Sequence, residues 1–128
     1  MTVVETIEGS GSKLVEDDDC ATRWGNEGLH VLSTPSILGS MEKVCVDLMA
    51  PKLEPGEMTV GVDVQLAHLA PTPKGDTVTF EVVMRRDGRT IDVEFVATDS
   101  RGTVVSKGTH KRAIINKDRF LAKLAAMA

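Results

Sequence analysis

Three residues that can take part in proton transfer lie within 35 positions of one another in the sequence: Thr34, Glu42 and His68. A carboxylate and an imidazole can act as general acid or base, and a hydroxyl can hydrogen-bond either of them or a reacting carbonyl group. Such chemistry requires the three side chains to meet. The elements that carry them must therefore bring distant parts of the chain together.

Each of the three residues also has an ordinary structural explanation. Thr34 precedes Pro35 and can serve as the N-cap of a helix, and a glutamate on a helix is usually a surface residue. His68 alternates with Val64 and Leu66, which predicts a partly buried imidazole and also fits a hydrogen-bonded core histidine. Residue type alone leaves both explanations open.

The clearest predicted helix carries Thr34 at its start and Glu42 two turns further along. Its apolar residues recur every three or four positions and form one stripe that should face a core. They are Ile37, Leu38, Met41, Val44, Cys45, Leu48 and Met49. Glu42 lies at the rim of this stripe, and the helix should stop near Pro51.

Strands are predicted on both sides of this helix. Alternation in Thr2–Ile7 indicates a first strand, which Gly9-Ser10-Gly11-Ser12 should end. The stretch from Lys13 to Leu32 is predicted to be a long loop with short helical pieces, acting as a lid. Four further strands are expected at 58–69, 77–86, 90–98 and 103–115, followed by a short helix at 118–125.

This order of elements predicts an α+β fold in which an antiparallel sheet wraps around one long central helix. An exposed sheet edge is a natural two-fold contact, so we expect a homodimer or a dimer of dimers. A chain of 128 residues is about the size of one domain, and we expect a single domain over 1–128.

Composition excludes several classes of partner. The formal net charge is -4 and apolar stretches are short, so neither nucleic acid nor a membrane is expected. The residues from Met1 to Glu8 show no export signal, which predicts a cytoplasmic location. Cys20 and Cys45 lack the spacing of a metal or redox site, and we expect neither a metal nor a cofactor.

Four segments carry a family resemblance: Ser33–Glu42, Ala50–Gly61, His68–Gly75 and Gly108–Arg112. Together, in order and spacing, they resemble the fluoroacetyl-CoA thioesterase-like group of hotdog-fold thioesterases. The resemblance extends from about Leu32 to Phe120. It implies a hotdog fold and hydrolysis of an acyl-CoA thioester, in which Thr34, Glu42 and His68 cooperate.

The resemblance also suggests where the substrate binds. Gly61 matches a position where the backbone approaches the substrate, although a strand bulge explains a glycine there equally well. Leu69, next to His68, is a further predicted substrate contact. Arg112, in the basic run His110-Lys111-Arg112, can neutralise a CoA phosphate or belong to a solvated strand end.

One departure from the family bears on the acyl group. Members selective for the fluorinated acyl group carry aromatic residues in the lid before the helix, whereas this chain has Trp24-Gly25-Asn26-Glu27-Gly28-Leu29. We therefore do not predict fluoroacetyl-CoA as the substrate. Trp24 or Leu29 is a candidate for closing the acyl pocket, and the sequence does not fix the acyl length.

Alternatives remain for both mechanism and function. Glu42 either attacks the carbonyl to form a mixed anhydride or deprotonates a water molecule that attacks instead. A non-catalytic protein that binds an acyl-CoA or a related small ligand is the alternative function, since a fold alone does not guarantee chemistry. A dehydratase of the same fold fits the order of threonine, glutamate and histidine less well.

Overall fold

A five-stranded antiparallel sheet is the largest element of the protein, in a computed structural model that describes residues 4–128. The strands follow the spatial order β1-β3-β4-β5-β2, which leaves β1 and β2 at the edges. Their bounds are Val4–Leu14 (β1), Glu57–His68 (β2), Thr77–Asp87 (β3), Thr90–Thr98 (β4) and Val104–Asn116 (β5). Within residues 4–128, two α-helices accompany them: α1 at Thr34–Met49 and α2 at Lys117–Ala126.

Helix α1 packs against one face of the sheet, which we call the inner face. Its most deeply buried residues follow the helical period and are 0% exposed: Ile37, Met41, Cys45 and Met49. On β3 and β4 the buried residues alternate with exposed ones, as period-two strands with one covered face require. The predicted α+β arrangement of a sheet around a central helix is thus confirmed.

Strand β1 corrects one prediction. The glycines at 9 and 11 do not end the strand, which continues to Leu14 in pairing with β3. A Cβ built on Gly9 would lie 2.6 Å from Leu48 Cδ2, and one on Gly11 would lie 2.7 Å from Val44 Cγ2. The glycines therefore let α1 approach the strand closely. Of the predicted first strand, Thr2 and Val3 lie outside the described residues.

The segment before α1 contains the short helical pieces that the sequence predicts. Two 3-10 helices span Asp17–Asp19 and Ala21–Trp24. The segment is fixed at both ends, because Cys20 pairs with Leu32 in an isolated bridge and Ser33 N donates to Asp19 O at 2.8 Å. These contacts hold the first residues of α1 in place.

Edge strand β2 carries exposed apolar side chains along with candidate site residues. Val62 is 60% exposed and Val64 is 37% exposed. The pairing of β2 with β5 shifts register between Gly61 and Asp63, which marks a bulge.

No helix among the described residues is long and apolar enough to cross a membrane.

Candidate active site

Thr34 occupies the first turn of α1 without capping it. The N-cap is Ser33, whose Oγ accepts a hydrogen bond from Ser36 N at 3.3 Å. Pro35 follows in the first turn, where its missing N–H costs nothing. The Thr34 hydroxyl instead lies 2.8 Å from His68 Nδ1. The capping explanation for Thr34 is therefore wrong, and its side chain joins α1 to the end of β2.

His68 faces the inner side of the sheet, opposite the buried Ser106 of β5. The alternation in sequence predicted this side correctly. The imidazole is nevertheless exposed, contrary to the partial burial that we expected. The physical reason is its position at the end of an edge strand, where no further strand among the described residues covers it. The exposure also argues against a purely structural core histidine.

Glu42 pairs with an arginine that lies deep in the protein. Its Oε2 accepts a hydrogen bond from Arg112 Nη1 at 2.7 Å, and the carboxylate side chain is 35% exposed while the guanidinium side chain is 3% exposed. A glutamate that only covers the helix surface does not make such a contact. Glu42 therefore lies half-buried between α1 and the inner face of the sheet.

Arg112 is buried, whereas both sequence-based alternatives, a phosphate contact and a solvated strand end, place it at the surface. It is 3% exposed, which corrects the expectation of a guanidinium facing a phosphate or solvent. Its Nε donates to Thr59 Oγ1 at 3.0 Å and its Nη2 to Thr59 O at 2.9 Å. The strand turns this residue inward, on the same side as Ile114, so its contacts are with Glu42 and with β2.

His110 completes this group, and sequence reasoning did not single it out from its basic neighbours. Its Nδ1 lies 2.7 Å from Asp63 O and its Nε2 lies 3.1 Å from Arg112 Nη1. Alternation along β5 contains the signal, because His110, Arg112 and Ile114 share the inner face while Lys111 points away.

Gly61 stands at the bulge in β2, which agrees with one of the two explanations that the sequence offered, while the approach of its backbone to a substrate stays a prediction. The backbone of Gly61 also lies close to two other side chains of the site. A Cβ at this position would lie 2.6 Å from Glu42 Oε2 and 3.2 Å from His110 Cε1. In this chain the backbone of Gly61 thus approaches the Glu42 carboxylate.

Leu69 follows the end of β2, next to the Thr34–His68 pair. Its side chain is 53% exposed, and its backbone N–H donates to Val105 O at 2.8 Å. An exposed leucine beside a polar pair is compatible with the predicted substrate contact, which remains a prediction.

Within one chain, the six predicted site residues fall into two groups. Thr34 and His68 form one, with Leu69 beside them, and Glu42 forms the other with Gly61 and Arg112. Eight positions of α1 separate Thr34 from Glu42, which corresponds to about 12 Å along a helix axis. A cleft of about 410 Å³ adjoins Glu42, and its lining includes Gly61 and His110 but neither Thr34 nor His68.

The donor atoms of the site suit acid–base chemistry. Across residues 4–128, no group of three or more His, Cys, Asp or Glu side chains is arranged to hold a metal ion. Burial raises the pKa of the Cys45 thiol to about 11, so this cysteine is a thiol at neutral pH and a poor nucleophile. The groups available for proton transfer are the carboxylate, the imidazoles and the threonine hydroxyl.

Comparisons with known proteins agree on one family. Residues 15–118 match the family model described as fluoroacetyl-CoA-specific thioesterase. The fluoroacetyl-CoA thioesterase of Streptantibioticus cattleyicolor is 41% identical over 96 residues, which span 74% of this chain and 68% of that protein.

Solved structures give the same result. A variant of the fluoroacetyl-CoA-specific thioesterase, in complex with fluoroacetate and CoA, superimposes with a TM-score of 0.86 at 31% identity, covering 94% of this chain and 98% of that chain. A hot-dog-like protein from Thermanaerovibrio acidaminovorans gives a TM-score of 0.85 at 27% identity, covering 94% and 89%. The chain therefore belongs to the fluoroacetyl-CoA-specific thioesterase family, a family of thioester hydrolases with the hotdog fold.

Proposed function

We propose that this protein hydrolyses a small acyl-CoA thioester, with Glu42, Thr34 and His68 acting on one substrate carbonyl. The observation that carries the proposal is the half-buried Glu42 carboxylate beside an open cleft, with one of its oxygens already held by Arg112 at 2.7 Å. A carboxylate fixed in this way has one oxygen engaged by the protein and one available for chemistry, since the described chain offers Oε1 no hydrogen-bond donor.

The Thr34–His68 pair supplies the second half of the proposed site. A threonine hydroxyl and an imidazole within 2.8 Å can stabilise a developing oxyanion and transfer a proton to the departing thiolate. Both side chains are exposed in the single chain, so a substrate can reach them. Their distance from Glu42 along α1 argues that one chain does not assemble the whole site.

A two-fold dimer through β2 brings the two halves together. The edge of β2 carries unpaired backbone groups and the exposed side chains of Val62 and Val64, which favour pairing with another strand. If two β2 strands pair antiparallel about a point near Val64, Gly61 of one chain lies close to the partner subunit's His68. Because Glu42 adjoins Gly61, its carboxylate then faces the partner's Thr34 and His68.

Two chemical routes remain for Glu42 in this site. It attacks the thioester carbonyl to form a mixed anhydride that water then hydrolyses, or it removes a proton from a water molecule that attacks directly. Single turnover in ¹⁸O-water tests for the anhydride. Label incorporated into the Glu42 carboxylate requires the anhydride, because a general base forms no bond to the attacking oxygen. Label in the released acid fits both routes, since water can also attack the acyl carbon of the anhydride.

The relatives indicate the class of substrate but do not identify its acyl group. The solved relative holds fluoroacetate and CoA, which supports a CoA thioester with a small acyl group for this chain. Trp24 and Leu29 are 55% and 52% exposed in the single chain. They do not define an acyl pocket, so we do not assign the fluorinated substrate.

One observation favours a second candidate, a non-catalytic protein that binds acyl-CoA. Within a single chain Glu42 and His68 belong to separate groups, and a protein working as a monomer would not bring them to one carbonyl. Such a protein should gain thermal stability from an acyl-CoA without releasing thiol.

A panel of short, branched and aromatic acyl-CoAs, assayed for free thiol, tests the proposal. We expect turnover of at least one of them, and a loss of about 100-fold or more in kcat for Glu42→Gln because the amide is neither base nor nucleophile. His68→Ala should also lower kcat. Asp47→Asn is the matched control, since it makes the same change on an exposed part of α1. Binding of acyl-CoA without thiol release would favour the second candidate.

A further inference from the structure

We propose that His110 is a positioning residue for Glu42: in its neutral form it accepts a hydrogen bond from Arg112 and so orients the guanidinium group that holds the carboxylate. The inference rests on the proposed function, because it concerns the same carboxylate. His110 makes no hydrogen bond to Thr34, His68 or Glu42. It acts through its neighbour Arg112.

The partners of His110 define which ring nitrogen carries the proton. Nδ1 lies 2.7 Å from the carbonyl oxygen of Asp63, and a carbonyl accepts but never donates, so Nδ1 is the protonated nitrogen. Nε2 lies 3.1 Å from Arg112 Nη1, and a guanidinium donates but never accepts. Nε2 is therefore the bare nitrogen, and the imidazole is neutral.

Arg112 is held by contacts on all sides of its planar group. Thr59 accepts from Nε at 3.0 Å and from Nη2 at 2.9 Å. The two protons of Nη1 are directed to Glu42 Oε2 at 2.7 Å and to His110 Nε2 at 3.1 Å. Because the plane is rigid, the acceptor at His110 helps to set the direction in which Nη1 presents its other proton to Glu42.

The bulge in β2 makes room for this arrangement. The register shift falls between Gly61 and Asp63, next to the carbonyl that anchors the His110 ring. A Cβ at position 61 would lie 3.2 Å from His110 Cε1. A glycine at the bulge thus lets the imidazole, the guanidinium and the carboxylate pack side by side.

Burial favours the neutral form of His110, and the charged groups that face the ring act in both directions. Glu42 approaches from α1, with Oε2 3.7 Å from Nε2, Arg112 adjoins it on β5, and Asp63 faces it from β2 with its carbonyl. The neighbour on β4 is the uncharged Val93. Burial and the nearby Arg112 hold the pKa of His110 below its usual value, against the opposing effects of Asp63 and Glu42.

Protonation would disrupt the arrangement. An imidazolium would direct an Nε2 proton at Arg112 Nη1, which has no lone pair to accept it. The two cations would repel each other and compete for Glu42 Oε2. The positioning role therefore requires the neutral ring.

A matched pair of amide variants tests the inference. His110→Asn retains a donor near the position of Nδ1, which can reach Asp63 O, but removes the acceptor for Arg112. His110→Gln retains an acceptor near the position of Nε2. If His110 acts through Arg112, kcat should fall about 10- to 100-fold in the Asn variant with KM nearly unchanged, because a displaced carboxylate slows the chemical step. The Gln variant should recover most of that loss.

The opposite order would overturn the inference. If His110 only anchors the bulge through Asp63, the Asn variant keeps normal kcat and the Gln variant loses activity or stability. Equal losses in both variants also count against it. A wild-type protein without turnover of any acyl-CoA is a failure of the proposed function, and the kcat comparison then no longer applies.

A measurement on the unmodified protein tests the same point without variants or activity. Imidazole ¹⁵N NMR at neutral pH should show His110 with a protonated Nδ1 and a bare Nε2. An imidazolium, or a ring protonated at Nε2 alone, would contradict the inference directly.

Discussion

Arg112 is a charged residue in a buried part of the protein, where it is 3% exposed. Removing a guanidinium from water costs several kcal/mol unless its donors are satisfied and its charge is balanced. Thr59 satisfies two donors, and Glu42 supplies the opposite charge. The pair explains why Glu42 remains half-buried, since each group offsets the desolvation of the other.

Gly61→Ala should separate the carboxylate from its anchor. The added Cβ would lie 2.6 Å from Glu42 Oε2, so the carboxylate must shift from its present position. We expect kcat to fall about 10- to 100-fold through misplacement of the proposed reacting group, with circular dichroism unchanged. Gly39→Ala on the exposed side of α1, where nothing lies within 4 Å of the new Cβ, is the control. Normal kcat in Gly61→Ala would contradict this account of the site.

The lowered pKa of His110 links folding stability to pH. The unfolded chain takes up a proton near the usual value of 6.5, whereas the folded protein resists protonation until lower pH. The contribution of His110 to stability is therefore complete above that value and declines as pH falls below it. In urea unfolding at pH values above and below 6.5, the free energy of unfolding of the wild type should fall relative to that of His110→Gln as the pH is lowered. A pH-independent difference would contradict the shift.

Residue types in the sequence predicted part of this site. Thr34 and His68, which the family resemblance assigns to one catalytic group, do contact each other. The inward direction of Arg112 was missed because its neighbours in sequence are basic and suggest a solvated strand end. Its burial depends on the pairing of β5 between two other strands, which a single-strand pattern does not reveal.

At the scale of elements, the strands after α1 were predictable because period-two alternation and the turns between them are local signals. Only the first part of strand β1 was predicted, because its glycines suggested a break after Ile7. Gly9 and Gly11 are explained by α1, which crosses the strand there with Leu48 and Val44. That contact joins parts of the chain that are distant in sequence, so a local sequence pattern does not predict it.

Gly11→Val tests the close packing of β1 against α1. A side chain at this position meets Val44 Cγ2 at 2.7 Å, and we expect overpacking to lower the free energy of unfolding by about 1–3 kcal/mol. Ser10→Val, on the exposed side of the same strand, should change it by less than about 0.5 kcal/mol. Denaturant unfolding measures both. Equal stability of the two variants would show that α1 does not need the glycine.

At the scale of the whole molecule, one chain presents two groups of candidate site residues on the inner face of its sheet. Thr34 and His68 lie at one end of β2, and Glu42 adjoins Gly61 towards the other end. The exposed valines of the edge strand lie between these two groups. If two such edges pair antiparallel as proposed, a two-fold axis exchanges the two groups and generates two equivalent complete sites.

Activity complementation between two impaired variants tests this arrangement most directly. Glu42→Gln and His68→Ala, each with a reduced kcat alone, are mixed in equal amounts and left to exchange subunits before thiol release is measured. If the site is shared, each mixed dimer has one intact site, and activity should recover to about a quarter of wild type with random exchange. A mixture that has exchanged subunits and remains no more active than its components would contradict a site built from both chains.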